Sequence, residues 1–118
     1  MISLSSQSCS ACELGASLVS DEDQASLLKD LESWRIDHSG MKRLVKEFKF
    51  RDYQDAIKFL NLIADLAQSE DHHPKITLEW GLVTLEWWSH KIRGLHMNDF
   101  ICAAKSDEMF KSISSTRK

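Results

Sequence analysis

The side chains in this chain best suited to moving protons are its histidines, four of which fall between positions 72 and 96: His72, His73, His90 and His96. Imidazole changes charge near neutral pH without help, so imidazoles gathered in one place suit general acid and base chemistry. His72 and His73 stand directly before Pro74, the only proline in the chain, which pushes the residue before it toward extended geometry. Successive extended residues point opposite ways, so the two rings do not face one pocket unless the backbone twists. His90 ends a stretch expected to pair with the one that begins after Pro74. A short hairpin brings its far ends together, so the spacing allows His90 to lie near the His72–His73 corner. It is compatible as well with two hydrogen-bonded loop histidines and one solvated histidine at a strand end. Use of His72, His73 and His90 as metal ligands is disfavoured, because adjacent residues rarely converge on one ion.

Two further residue types bear on such a site. Trp88 shares a strand face with His90, where an indole lines a pocket for a flat heterocycle or fills a subunit interface. Trp87 shares the opposite face with Val83 and Leu85 and belongs to the core. Asp99 falls in the first turn of the last expected helix, a position the helix dipole favours for a carboxylate. It is either a capping-box residue or the partner that fixes the tautomer of a nearby imidazole.

The elements that must position these groups follow from hydrophobic period and capping. Ser20 reads as a helix N-cap with Asp23 at the capping-box position, and Leu27, Leu28 and Leu31 follow at helical spacing, with Trp34 closing the segment. Asp37-His38-Ser39-Gly40 is a turn. Leu44, Phe48 and Phe50 share a strand face opposite Glu47 and Lys49, a pattern that Lys46 breaks, and the segment 34–41 is its candidate partner strand. Asp52 caps the clearest helix, whose stripe of Tyr53, Ala56, Ile57, Leu60, Ile63, Ala64 and Ala67 faces the core. Ile76, Leu78 and Trp80 alternate with polar residues, Gly81 permits a reversal, and Val83, Leu85 and Trp87 make the returning strand. After the Gly94-Leu95 turn, Met97, Phe100, Ile101 and Ala104 mark a last helix, expected to fray beyond Phe110. The order α-β-β-α-β-β-α predicts an α+β fold, a four-stranded antiparallel sheet with three helices packed on one face.

Composition narrows the class of function. At 118 residues, 42% hydrophobic and 28% charged, the chain is expected to form one folded domain rather than a disordered segment. Fifteen basic against 18 acidic residues leave a net charge of −3. That balance gives no basic footprint for nucleic acid and no polybasic contact for a membrane surface. No run approaches the ~20 apolar residues of a membrane span. The first residues carry neither the basic region nor the apolar core of a signal peptide, so a cytoplasmic protein is expected, with Cys9, Cys12 and Cys102 reduced. Cys9 and Cys12 form a C-x-x-C pair in a Ser-rich tail. It lacks the second ligand pair of a structural zinc site and the strand–helix context of a redox motif, which favours an incidental or weakly metal-binding tail. Expected boundaries are a leader over 1–20, a domain over 21–112 and a frayed end over 113–118.

Several of these elements together resemble the pterin-4a-carbinolamine dehydratase family. They are Asp71-His72-His73-Pro74, then sixteen residues between His73 and His90, Gly94-Leu95 and Asp99, with Trp34 and Phe48-Lys49-Phe50-Arg51-Asp52-Tyr53 upstream. Glu79-Trp80-Gly81, Trp87-Trp88-Ser89-His90 and Gly94-Leu95-His96 are similar to the bacterial branch associated with phenylalanine hydroxylase. The resemblance covers roughly residues 25 to 110. It implies three helices on one side of a four-stranded antiparallel sheet, and homodimers or homotetramers joined at sheet edges. The reaction it implies is dehydration of 4a-hydroxytetrahydrobiopterin to quinonoid dihydrobiopterin, recycling the pterin of aromatic amino-acid hydroxylases. The pterin is then substrate, no cofactor or metal is needed, and a phenylalanine hydroxylase is a candidate partner. His72, His73 and His90 match the family's active-site histidines and Asp99 its carboxylate. We expect His72 and His90 to exchange protons, His73 to orient the pterin and Asp99 to support an imidazole. Trp88, Gln68, Asp71 and Pro74 are the expected substrate-binding residues. Departures are Gln68, where animal members carry a glutamate, and His96, which replaces a Ser or Thr helix cap. Animal members also act as transcription-factor cofactors, so the alternative expectation is a dimerising, regulatory interaction protein of the same fold.

Overall fold

The computed structural model describes residues 19–89 and 93–116. Its elements are α1 (Asp21–Leu28), β1 (Arg35–Asp37), β2 (Arg43–Lys49), α2 (Tyr53–Glu70), β3 (Lys75–Glu79), β4 (Leu82–Trp87) and α3 (Met97–Thr116). The strands form one antiparallel sheet in the order β1-β2-β4-β3. The expected α+β order is therefore the observed one.

Local chemistry sets the helix starts. The Ser20 hydroxyl accepts from the Asp23 N–H at 3.2 Å, and Asp52 Oδ1 accepts from the Asp55 N–H at 2.8 Å. Each satisfies an amide that the first helical turn would otherwise leave without a partner. α1 stops at Leu28, short of the expected run to Trp34. Ser33 adopts a left-handed φ of 66°, which no α-helix accommodates, so Leu31 and Trp34 reach the core from a turn.

The sheet reads inward along one parity. On β4, Val83, Leu85 and Trp87 are fully buried. On β2, Leu44 and Phe48 point the same way, and so does Lys46 between them. Its Nζ donates to Asp107 Oδ1 of α3 at 2.8 Å and to the Glu32 carbonyl at 3.0 Å, while lying 4.9 Å from the Phe48 ring centroid. The residue that breaks the β2 pattern is an inward lysine whose charge α3 meets. Around Phe48, the rings of Phe59 from α2 and Phe110 from α3 stand 4.7 and 5.1 Å away, centroid to centroid. Such pairs add ~0.5–1.5 kcal/mol each beyond the area they bury.

Three sequence readings are corrected. The buried residues of α2 are Asp55, Ala56, Phe59, Ile63, Leu66 and Ala67. Tyr53 is 47% exposed and Ala64 is open to solvent, so the inward stripe is rotated toward Phe59 and Leu66. Trp80 is not a strand residue. It sits with Gly81 in the β3–β4 reversal and is 74% exposed. Gly81 has φ +68°, and a Cβ there would lie 2.9 Å from the Phe50 carbonyl oxygen. α3 continues beyond Phe110 to Thr116 and buries Ile113. Among the described residues no helix is long and apolar enough to cross a membrane.

Candidate functional site

The C-terminus of α2 and the N-terminus of α3 meet where β4 leaves the sheet, and there His72 and Asp99 come together. α2 is closed by Asp71 in a left-handed conformation, φ 50° and ψ 43°. Its N–H reaches the Gln68 carbonyl at 3.4 Å, and the His72 N–H reaches the Ala67 carbonyl at 3.1 Å. This reversal satisfies the last helical carbonyls and aims the next two residues apart. His72 turns inward and is 4% exposed, whereas His73 faces solvent. The twist that would let both face one pocket does not occur.

His72 is held on its edge and on its face. Its Nε2 lies 2.6 Å from Asp99 Oδ1, and its ring stacks on the Trp87 indole with centroids 5.5 Å apart and planes 19° apart. An ionised carboxylate only accepts, so Nε2 is the donor in this contact. Trp87 is itself locked, its Nε1 donating to the Ser106 hydroxyl at 3.2 Å, which donates on to the Cys102 carbonyl at 2.7 Å.

Asp99 is 0% exposed. Burial of that kind is tolerated only when the carboxylate oxygens are met by donors. Oδ2 accepts from the Ser89 hydroxyl at 2.9 Å and from the His96 N–H at 2.8 Å, leaving Oδ1 to His72. In return His96 caps α3, its Nδ1 accepting from the Asn98 N–H at 3.1 Å. The capping-box role and the imidazole role of Asp99, alternatives in the sequence, are filled together by its two oxygens. The histidine in place of a Ser or Thr cap still provides an acceptor.

The remaining candidates are placed unevenly. His73 Nε2 donates to Gln68 Oε1 at 2.8 Å across the exposed end of α2. Asp71 is exposed and serves the backbone reversal, while Pro74 is half-buried just before β3. Trp88 is half-buried and packs against the core cluster. His90 lies outside the described residues, as do Cys9 and Cys12. Among the described residues, no three His, Cys, Asp or Glu side chains are grouped to hold a metal ion. Sequence reasoning missed Ser89 and the contact of Trp87 with His72. Only the inward parity of 83, 85, 87 and 89 signalled that both point toward α3.

Residues 17–109 match the model of the family described as pterin 4 alpha carbinolamine dehydratase. A Marinobacter nauticus protein is 49% identical over 93% of this chain and 100% of its own length. A Vibrio cholerae protein is 50% identical over 86% of this chain and 94% of its own. Both bear the provisional name pterin-4-alpha-carbinolamine dehydratase. The fold is similar to a solved Brucella melitensis structure described as a transcriptional coactivator/pterin dehydratase, with TM-score 0.75 and 22% identity over 79% of this chain and 98% of that one. It is also similar to a pterin dehydratase-like RuBisCO assembly factor of the alpha-carboxysome, with TM-score 0.58 and 24% identity over 67% of this chain and 90% of that one. With most of its length matched by the family model and about half its residues shared with full-length relatives, the chain belongs to the pterin 4 alpha carbinolamine dehydratase family.

Proposed function

We propose that the protein dehydrates 4a-hydroxytetrahydrobiopterin to quinonoid dihydrobiopterin and water by histidine general acid and base catalysis. The observation that carries this reading is the buried pair of Asp99 Oδ1 and His72 Nε2 at 2.6 Å, inside a chain of this family. The reaction breaks the C4a–O bond, delivers a proton to the departing hydroxyl and removes the proton on N5, so that one water is lost in all. Imidazoles suit both transfers, each worth ~10²–10⁴-fold.

In this scheme His72 and His90 exchange the protons. Asp99 holds His72 in the Nε2–H form, so that Nδ1 is the atom that takes a proton and gives it back. His73, open to solvent and tied to Gln68, binds and orients the pterin, with Trp88, Asp71 and Pro74 contributing to the same surface. The pterin is substrate and the scheme needs no metal or cofactor. Its supply comes from a pterin-dependent aromatic hydroxylase such as a phenylalanine hydroxylase, in the cytoplasm. The protein works as a homodimer or homotetramer, a reading supported by β1 and β3 standing at the sheet edges among the described residues and by the exposed Trp80 beside β3. A coupled absorbance assay on a 4a-carbinolamine tests the proton-transfer roles. His72→Ala and His90→Ala are each expected to lose most of the activity, and undiminished turnover in both would overturn the scheme.

A further inference from the structure

We propose that Ser89 is a positioning residue for His72, acting through Asp99; its effect on turnover rests on the dehydratase reading, its effect on the imidazole does not. β4 delivers inward side chains at alternate positions. Trp87, the last of the strand, lies against the face of His72, and Ser89, two residues on, sends its hydroxyl to Asp99 Oδ2. The same register thus supplies the plane on which the ring rests and one of the donors that orient its carboxylate.

Ser89 is built for a fixed role. It is 0% exposed, its N–H donates to the Gly94 carbonyl at 2.8 Å, and its carbonyl accepts from the Gly94 N–H at 3.3 Å. The backbone is pinned on both sides, and the single hydroxyl proton is committed to Asp99. Two donors on Oδ2 and one on Oδ1 give the carboxylate one preferred orientation, with Oδ1 turned to His72. Without the Ser89 hydroxyl, the His96 N–H alone holds Oδ2. The carboxylate then turns more freely, and the His72 proton is no longer tied to Nε2.

The test uses the full chain with Ser89→Ala, Ser89→Thr and, as a volume-matched weak donor, Ser89→Cys. Nitrogen-15 NMR of the imidazoles reads the His72 tautomer in the free protein, and steady-state dehydration reads kcat and KM. Wild type and Ser89→Thr are expected to hold the Nε2–H form. Ser89→Ala is expected to populate both tautomers and to lose roughly tenfold in kcat, the loss of one charge-assisted hydrogen bond, with KM little changed. Ser89→Cys should fall between them, and it answers the question if the alanine variant does not fold. Alanine and cysteine variants with the wild-type tautomer and kcat would overturn the role of Ser89 while leaving the dehydratase reading standing. A tautomer shift in Ser89→Ala, in a protein whose wild type does not dehydrate the carbinolamine, would support the positioning role and remove the dehydratase reading.

Discussion

Asp99→Asn replaces one carboxylate oxygen by an amide and leaves the volume unchanged. In the native site, Oδ2 meets two donors, the Ser89 hydroxyl and the His96 N–H, and Oδ1 meets His72 Nε2. The one carbonyl oxygen of asparagine is drawn to the place with two donors. Its NH2 then faces His72, which must accept at Nε2 and carry its proton on Nδ1 instead. The hydrogen bonds survive in number but lose charge assistance, about 1 kcal/mol each, and the lower cost of burying a neutral group offsets part of this. Stability is therefore expected to fall by no more than about 1–2 kcal/mol, read by equilibrium denaturant unfolding. Turnover is expected to fall far more, by ~10²–10⁴-fold, because the ring presents the wrong tautomer for its step. Nitrogen-15 NMR of His72 in the same variant should report Nδ1–H. An Asp99→Asn protein with near wild-type kcat, or with His72 still protonated on Nε2, would refute the reasoning.

Three further outcomes follow from the fold. Gly81→Ala should cost about 1–3 kcal/mol in denaturant unfolding, since the new Cβ meets the Phe50 carbonyl oxygen at 2.9 Å in a left-handed turn; no change would contradict the turn geometry. Phe59→Ala should cost ~3–5 kcal/mol, because the ring is fully buried between Phe48, Phe50 and Phe110; a loss below ~1 kcal/mol would show that the aromatic cluster is misplaced. The Asp37 carboxyl is held below its ordinary range by the Ser39 hydroxyl and N–H and, more weakly, by Arg43. A depressed folded-state pKa adds stability that is present above the unfolded value near ~4 and lost as pH falls through the folded one. Asp37→Asn should therefore shrink the gap to wild type in acid unfolding curves below that pH, and an unchanged gap would contradict the assignment.

Much of the fold was legible because local chemistry decided it. Ser20 and Asp52 announce their helices by type and position, and the alternation of Val83, Leu85 and Trp87 is a strand buried on one face. Where the sequence misled, a tertiary contact had overridden a local pattern. Lys46 looked like a fault in a strand until Asp107 of α3 supplied its partner. Tyr53 and Ala64 fitted the apolar stripe of α2, but the helix is rolled so that Phe59 and Leu66 meet the sheet. Trp80 continued an alternation that the Gly81 turn had already ended. In the site, the opposite directions of His72 and His73 followed from their extended geometry. The partnership of Asp99 with Ser89 did not, because ten residues and a loop separate them and no spacing rule links a strand-end serine to a helix cap.

The proposed dehydration requires that this chain accelerate loss of water from a 4a-carbinolamine through its histidines. Stopped-flow absorbance of carbinolamine decay, with wild type and the His72→Ala/His90→Ala double variant set against the spontaneous reaction, tests it most directly. Wild type is expected to give saturable acceleration, and the double variant decay close to the spontaneous rate. Wild-type protein that leaves the spontaneous rate unchanged, or a double variant as fast as wild type, would contradict it.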